Sequence, residues 1–248
     1  PQASLFGRGQ VPAQVPARMA ALANGAISHA LDYDDTHFGH IGHPSVAVFP
    51  AVFAIGEKIG KALPDILEAA LLGMELSIRV GLWLGRSHYQ VGFHQTATAG
   101  AFGATAATGR LLGLDASQMA MALGLAATRA AGLKAQFGTL DGPLGFGATH
   151  HGDGDVSAAL EGLGQRWHFE TISHKFHACC HGLHAALEAA RQLDLAAPEV
   201  AALTVRTHPR WMTVCNQPAP STGLGEIFLS HCLGNAGSGD EYGPAGCL

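Results

Sequence analysis

The stretch Ala97-Thr98-Ala99-Gly100-Ala101-Phe102-Gly103-Ala104-Thr105-Ala106-Ala107 decides how this chain packs. Every residue in it except Phe102 is small. The run suits a helix, and its lack of bulk permits very close approach of a second helix or of a ligand. Tight packing of helices in a core is the reading that follows. Helical periodicity surrounds it, with Leu63, Ile66, Leu67, Ala70, Leu71 and Met74 recurring at three- and four-residue steps and a similar pattern over 111–131. Two start signals accompany these patterns. Leu63-Pro64-Asp65 sets proline in a first turn, and Leu114-Asp115-Ala116-Ser117-Gln118 offers Asp115 as an N-cap with Gln118 at the capping-box position.

Beyond residue 152 the texture changes. Asp153-Gly154-Asp155 reads as a turn, 183–193 as a helix, and Val200-Ala201-Ala202-Leu203-Thr204-Val205-Arg206-Thr207 has the β-branched alternation of a strand. The expected fold is therefore mainly α: an all-helical domain over 1–156, then a smaller α+β domain over 157–233. The glycine-rich stretch 234–248 has no periodicity and is expected to be poorly ordered. A chain of 248 residues with 48% hydrophobic content can bury a substantial core. Its formal charge of -5 and the lack of any Lys/Arg run argue against nucleic acid as a partner. No apolar stretch is long enough to span a bilayer and no signal layout opens the chain, so a soluble, cytoplasmic protein is expected. The five cysteines are odd in number and crowded toward the C-terminus, unlike a disulfide framework.

Polarity is concentrated in Asp32-Tyr33-Asp34-Asp35-Thr36-His37, followed by His40 and His43-Pro44-Ser45, in a sequence only 13% charged. If the helical run 19–31 continues through this cluster, Asp32 and Thr36 project from one face. His43-Pro44 then halts the chain, because a residue before proline is pushed out of the helical region. A second candidate is Gly92-Phe93-His94-Gln95-Thr96, where His94 precedes the small-residue helix and the helix amides favour a bound carboxylate. Lys134 is a single lysine after a long helix whose one charged residue is Arg129; it either faces an anion or snorkels to solvent. The block Lys175-Phe176-His177-Ala178-Cys179-Cys180-His181-Gly182-Leu183-His184 is dense in cysteine and histidine, but vicinal cysteines do not match zinc spacing. A calcium loop starting at Asp153 would have Gly164 where it needs glutamate. A Cys180–His184 protease pair has no orienting third group. Neither a metal nor a cofactor is expected.

Several of these motifs, in order, resemble the MmgE/PrpD family of 2-methylcitrate dehydratase, cis-aconitate decarboxylase and iminodisuccinate epimerase. The resemblance extends over 17–206 and is carried by Asn24-Gly25-Ala26-Ile27-Ser28-His29-Ala30-Leu31 running into the acidic cluster, by His43-Pro44-Ser45, by Gly92-Phe93-His94-Gln95-Thr96, by Arg110-Leu111-Leu112-Gly113-Leu114, by Phe137-Gly138-Thr139 and by the Lys175–His184 block. It implies a helical domain carrying the site, an α/β lid, a homodimer, no required metal, and a small polycarboxylate as substrate. The implied reaction is that of a lyase, a dehydratase or decarboxylase working by histidine-mediated proton transfer. An epimerase, or a carboxylate-binding remnant without turnover, is the alternative. The family's catalytic positions fall on Asp32, Thr36, His43 and His94, with His94 as the principal acid/base, and Lys134 and His184 completing the anion pocket. Histidine suits such work because it titrates near neutrality, and donors must meet the enolate charge that forms. The chain departs from the family where Gly142 and Gly145 stand in place of a lysine and a histidine, and it reads as a shortened member.

Overall fold

The computed structural model of the chain describes residues 2–6, 13–131, 146–150, 155–193, 204–208 and 211. Helix α4, Gln95–Leu112, is the small-residue run, and it ends at Gly113, whose φ of 72° gives the left-handed turn that glycine adopts without strain. It packs against α2, Pro44–Ile59, and α3, Leu63–Gln90, which also touch each other. The packing is backbone to backbone. A Cβ at Gly103 would collide with Ser77 Oγ and the Gly73 carbonyl, one at Gly73 would lie 2.6 Å from the Gly103 carbonyl oxygen, and one at Gly100 would lie 2.6 Å from Ala47 Cβ.

Larger side chains fill the space on either side of these contacts. Val48, Val52, Ile66, Met74, Ala107 and Leu111 form one apolar cluster across α2, α3 and α4. A second joins Leu84, Phe102 and Ala127 to Phe146, and so brings in α5, Ala116–Ala131, and α6, Phe146–His150. Both start signals act as expected. Pro64 sits in the first turn of α3. Before α5 the Asp115 amide donates to Gln118 Oε1 at 3.0 Å, and the Gln118 amide donates to Asp115 Oδ1 at 2.9 Å. Within α3, Gly85 takes φ 70°, which breaks the helical path there, and the buried Gln95 side chain donates to the Gly85 carbonyl at 2.7 Å.

A buried ion pair on α3 holds the chain that follows. Arg79 Nε donates to Glu75 Oε1 at 2.8 Å, and the rest of the guanidinium donates to the carbonyls of Ala159, Glu161 and Arg166. Glu75 Oε2 accepts from the Phe169 amide at 3.0 Å. These bonds fasten α7, Val156–Leu160, and the 3₁₀ turn His168–Thr171 along α3.

The structure is mainly helical, with three departures from the sequence reading. The first part is not purely helical, because β1, Gln2–Ser4, pairs antiparallel with β2, Gln14–Pro16, ahead of α1, Ala17–His29. The helix expected to run through Asp32 and Thr36 stops at His29: Asp32 has φ 48°, and Thr36 pairs instead with Ser173 through two backbone hydrogen bonds of 2.9 and 2.7 Å. The two side chains therefore share no helix face. Residues 204–207 form no strand, and the helix expected over 183–193 is His184–Ala190, labelled α8. Positions 200–203, Lys134, Phe137-Gly138-Thr139, Gly142, Gly145, Asp153-Gly154 and the stretch 234–248 lie outside the described residues.

The chain separates into two compact units, one of residues 1–28 and 35–173, the other of residues 29–34 and 174–248. In the second, the Lys175 ammonium, with no exposed side-chain surface, is held 2.5 Å from Asp32 Oδ1 and 2.6 Å from the Asp32 carbonyl. Also in that unit, His177 Nε2 lies 2.6 Å from Glu188 Oε1.

The glycine contacts predict opposite signs for two similar substitutions. Gly103→Ala should destabilise the protein by about 1–3 kcal/mol through overpacking against Ser77 and Gly73, although alanine favours helix. Gly25→Ala in α1, where the new methyl meets only Pro50 at 3.8 Å, should stabilise it by about 0.4–1 kcal/mol. Urea unfolding midpoints compare the two directly.

Candidate active site

His43 is extended, with φ -111°, because proline follows it, and Pro44 then opens α2 instead of merely ending a preceding element. His43 is thus the N-cap of α2, yet its side chain caps nothing. That work falls to Asp35, whose Oδ1 accepts from Ser45 Oγ at 2.6 Å and from the Ser45 amide at 3.2 Å. The Asp35 backbone carbonyl meanwhile accepts from His43 Nδ1 at 2.9 Å. One residue therefore fixes both the helix start and the imidazole that stands on it.

His94 holds the equivalent place on α4. It is the N-cap, and its Nδ1 accepts from the Thr96 amide at 3.3 Å. Thr96 Oγ1 accepts in turn from the His43 amide at 2.9 Å, tying the two helix starts together. The imidazoles stack with centroids 5.7 Å apart and planes 20° from parallel, and Tyr89 meets His94 edge-on at 5.4 Å. Two helix N-termini, each carrying partial positive charge, meet beside two imidazoles. This is a setting for an anion with a proton to gain or lose.

His40 lies behind this pair with no exposed surface, and neither ring nitrogen has a hydrogen-bond partner. Burial, reinforced by His37, His94 and His43, pushes its pKa down to about 3, so the ring is neutral. A Cβ added to Gly81 would collide with His40 Nδ1 and lie 2.8 Å from Gln95 Oε1, itself a buried acceptor without a partner. Glycine at 81 is what leaves room for the ring. The turn that carries His40 is tight: Ile41 has φ 54°, a costly conformation for a β-branched residue, and is held by its amide donating to the His37 carbonyl at 2.8 Å.

Among the sequence candidates, His43 and His94 come together directly, and Thr36 adjoins Asp35, whose carbonyl orients His43. Asp32 and His184 belong to the second unit. There Asp32 pairs with Lys175, and His29 Nδ1 sits 3.1 Å from both Asp34 oxygens, which raises the His29 pKa against the cost of burial. His29, Asp32 and Asp34 offer ligand atoms within 4.8 Å of one another, a donor set able to hold a cation, although Lys175 already supplies positive charge at Asp32. His184 stacks on His181 at 4.5 Å and meets His177 edge-on at 5.1 Å; its Nε2 is buried without a partner, and burial lowers its pKa to about 4. Cys179 and Cys180 carry thiols and form no disulfide. The sequence reading gave no role to Asp35, Thr96 or Lys175. Asp35 and Thr96 sit inside the quoted motifs, but the tie between the two helix starts spans 53 positions and leaves no local signal.

The sequence model of the MmgE/PrpD N-terminal domain matches residues 1–153. The chain belongs to the MmgE/PrpD family. Among its relatives, the cis-aconitate decarboxylase of Aspergillus terreus is 33% identical over 226 residues, covering 73% of this chain and 46% of that protein. The cis-aconitate decarboxylase of Homo sapiens is 31% identical over 161 residues, covering 62% of this chain and 33% of that protein. The chain thus spans about half the length of the Aspergillus enzyme and a third of the human one. Among the described residues no helix is long and apolar enough to cross a membrane.

The buried histidines set a pH dependence whose sign is fixed. His40 and His184 titrate lower in the fold than the ordinary 6.5, so on acidification the unfolded chain takes up protons first. The stability present above about pH 6.5 should fall as pH drops toward 4 and then 3. His40→Leu should flatten part of that slope. It should also cost less than about 1 kcal/mol at pH 7, since it removes two unpartnered polar atoms. Urea midpoints at pH 7 and pH 5 for both proteins measure this.

Proposed function

We propose that this chain carries the proton-transfer centre of a lyase acting on a small di- or tricarboxylate, with decarboxylation of cis-aconitate as the favoured reaction. The observation that carries the reading is the meeting of the α2 and α4 N-termini at the stacked His43 and His94. Their dipoles favour a carboxylate, and the imidazoles supply proton transfer and a donor to the developing enolate. The names of the relatives support the substrate class. In this reading Thr36 donates to a substrate carboxylate. Asp32, Lys134 and His184 keep the roles that family resemblance gives them, an orienting acid and two members of an anion pocket. A homodimer working without cofactor belongs to the same proposal.

The second reading, carboxylate binding without turnover, is favoured by Gly142 and Gly145, which bring no cation or imidazole where family members carry them. Incubation with cis-aconitate, 2-methylcitrate and iminodisuccinate in turn, followed by NMR, separates the two. The expected outcome is loss of carbon dioxide from cis-aconitate. Saturable binding with no product from any of the three would favour the second reading, and neither binding nor turnover would overturn both.

A further inference from the structure

The hydrogen bonds at Nδ1 give the two stacked histidines opposite tautomers. A backbone carbonyl only accepts, so His43 Nδ1, 2.9 Å from the Asp35 carbonyl, must carry a proton, and its Nε2 holds the lone pair. A backbone amide only donates, so His94 Nδ1, which accepts from the Thr96 amide, must be bare, and its Nε2 carries the proton. We infer that His43 is the residue that gains and loses the proton in this site, while His94 stays neutral and acts as a hydrogen-bond donor through Nε2. The inference rests on the proposed carboxylate chemistry for its role in turnover. It shifts the acid/base duty from His94, where the motif alone had set it.

The asymmetry lies in what a second proton meets. On His43 it adds to Nε2, and the Nδ1–H bond to Asp35 survives unchanged. On His94 it would have to add to Nδ1, against the Thr96 N–H and at the positive end of α4. A neutral imidazole at a helix N-terminus, polarising a carbonyl as a donor, is a known solution to stabilising enolates. In proton abstraction the substrate C–H bond breaks, its electron pair enters the enolate held by His94 Nε2–H, and the proton goes to His43 Nε2. In decarboxylation His43 has first taken a proton from solvent at Nε2; the C–C bond breaks, carbon dioxide leaves, the bonding pair stays behind as the enolate, and His43 gives that proton to carbon.

Long-range ¹H–¹⁵N NMR of protein labelled at histidine reads the tautomers without any substrate, with His43→Gln and His94→Gln spectra assigning the signals. The expected result is His43 protonated at Nδ1 and His94 at Nε2 at pH 8. The reverse pair, or the same tautomer on both rings, would overturn the inference whatever the enzyme activity. In turnover of cis-aconitate, His43→Gln should lower kcat by about 10²–10⁴-fold. His94→Gln, which keeps an N–H donor, should lower it by no more than about tenfold. Equal losses would overturn the division of roles. Absence of turnover in the unsubstituted protein counts against the proposed function and leaves the NMR result to decide the tautomers.

Discussion

The contact between α3 and α4 is the constraint on which the first unit depends. Two helices approach backbone to backbone only if neither carries side chains at the crossing, and Gly73 facing Gly103, with Ser77 beside them, meets that condition. Gly100 against Ala47 does the same for α2 and α4. Once these crossings are set, the starts of α2 and α4 can be joined by the bond from the His43 amide to Thr96, and their N-cap histidines stack. A larger residue at one crossing would separate the helix starts before it disturbed either imidazole directly. The site geometry is in this sense a consequence of alanine and glycine content several turns away.

The buried Glu75–Arg79 pair governs the other approach to His43. Removing a charge from water is costly unless its hydrogen-bonding capacity is met, and Arg79 meets it with the Glu75 carboxylate and three carbonyls of the returning chain. The result is positional more than stabilising. With residues 159–169 held on α3, Ser173 can pair with Thr36, and His37 Nε2 reaches Thr171 Oγ1 at 2.9 Å. Those bonds set the path of 35–37, and hence the Asp35 carbonyl that accepts the hydrogen bond from His43 Nδ1.

What was legible in the sequence is what local chemistry dictates. The reciprocal bonds of Asp115 and Gln118 are closed within three residues, proline at the start of α3 needs no partner, and the small-residue run announces a close crossing without naming the other helix. The helix expected through Asp32 and Thr36 failed because the competing interaction is remote. Pairing of Thr36 with Ser173, and of Lys175 with Asp32, each joins residues more than a hundred positions apart, and aspartate tolerates the left-handed backbone that ends the helical path. The histidines were legible as candidates but their division of labour was not. Whether a ring accepts or donates at Nδ1 depends on a backbone amide or carbonyl that residue type does not reveal.

The same asymmetry bears on how one family can host dehydration, decarboxylation and epimerisation. Each begins or ends at an enolate next to a carboxylate, and in the proposed site a proton carrier and a neutral donor serve that species whichever bond was broken to make it. Choice among polycarboxylates must then come from groups that touch the remaining carboxylates, where a gained or lost contact is worth about 1–3 kcal/mol. Relative to the pattern that the family resemblance implies, Gly142 and Gly145 stand where a lysine and a histidine are expected. A substrate with one fewer anionic contact suffers least from that loss, so the sequence departure bears on which acid is bound and how tightly. In the proposed site the two imidazoles are positioned by the starts of α2 and α4 and by the Asp35 carbonyl.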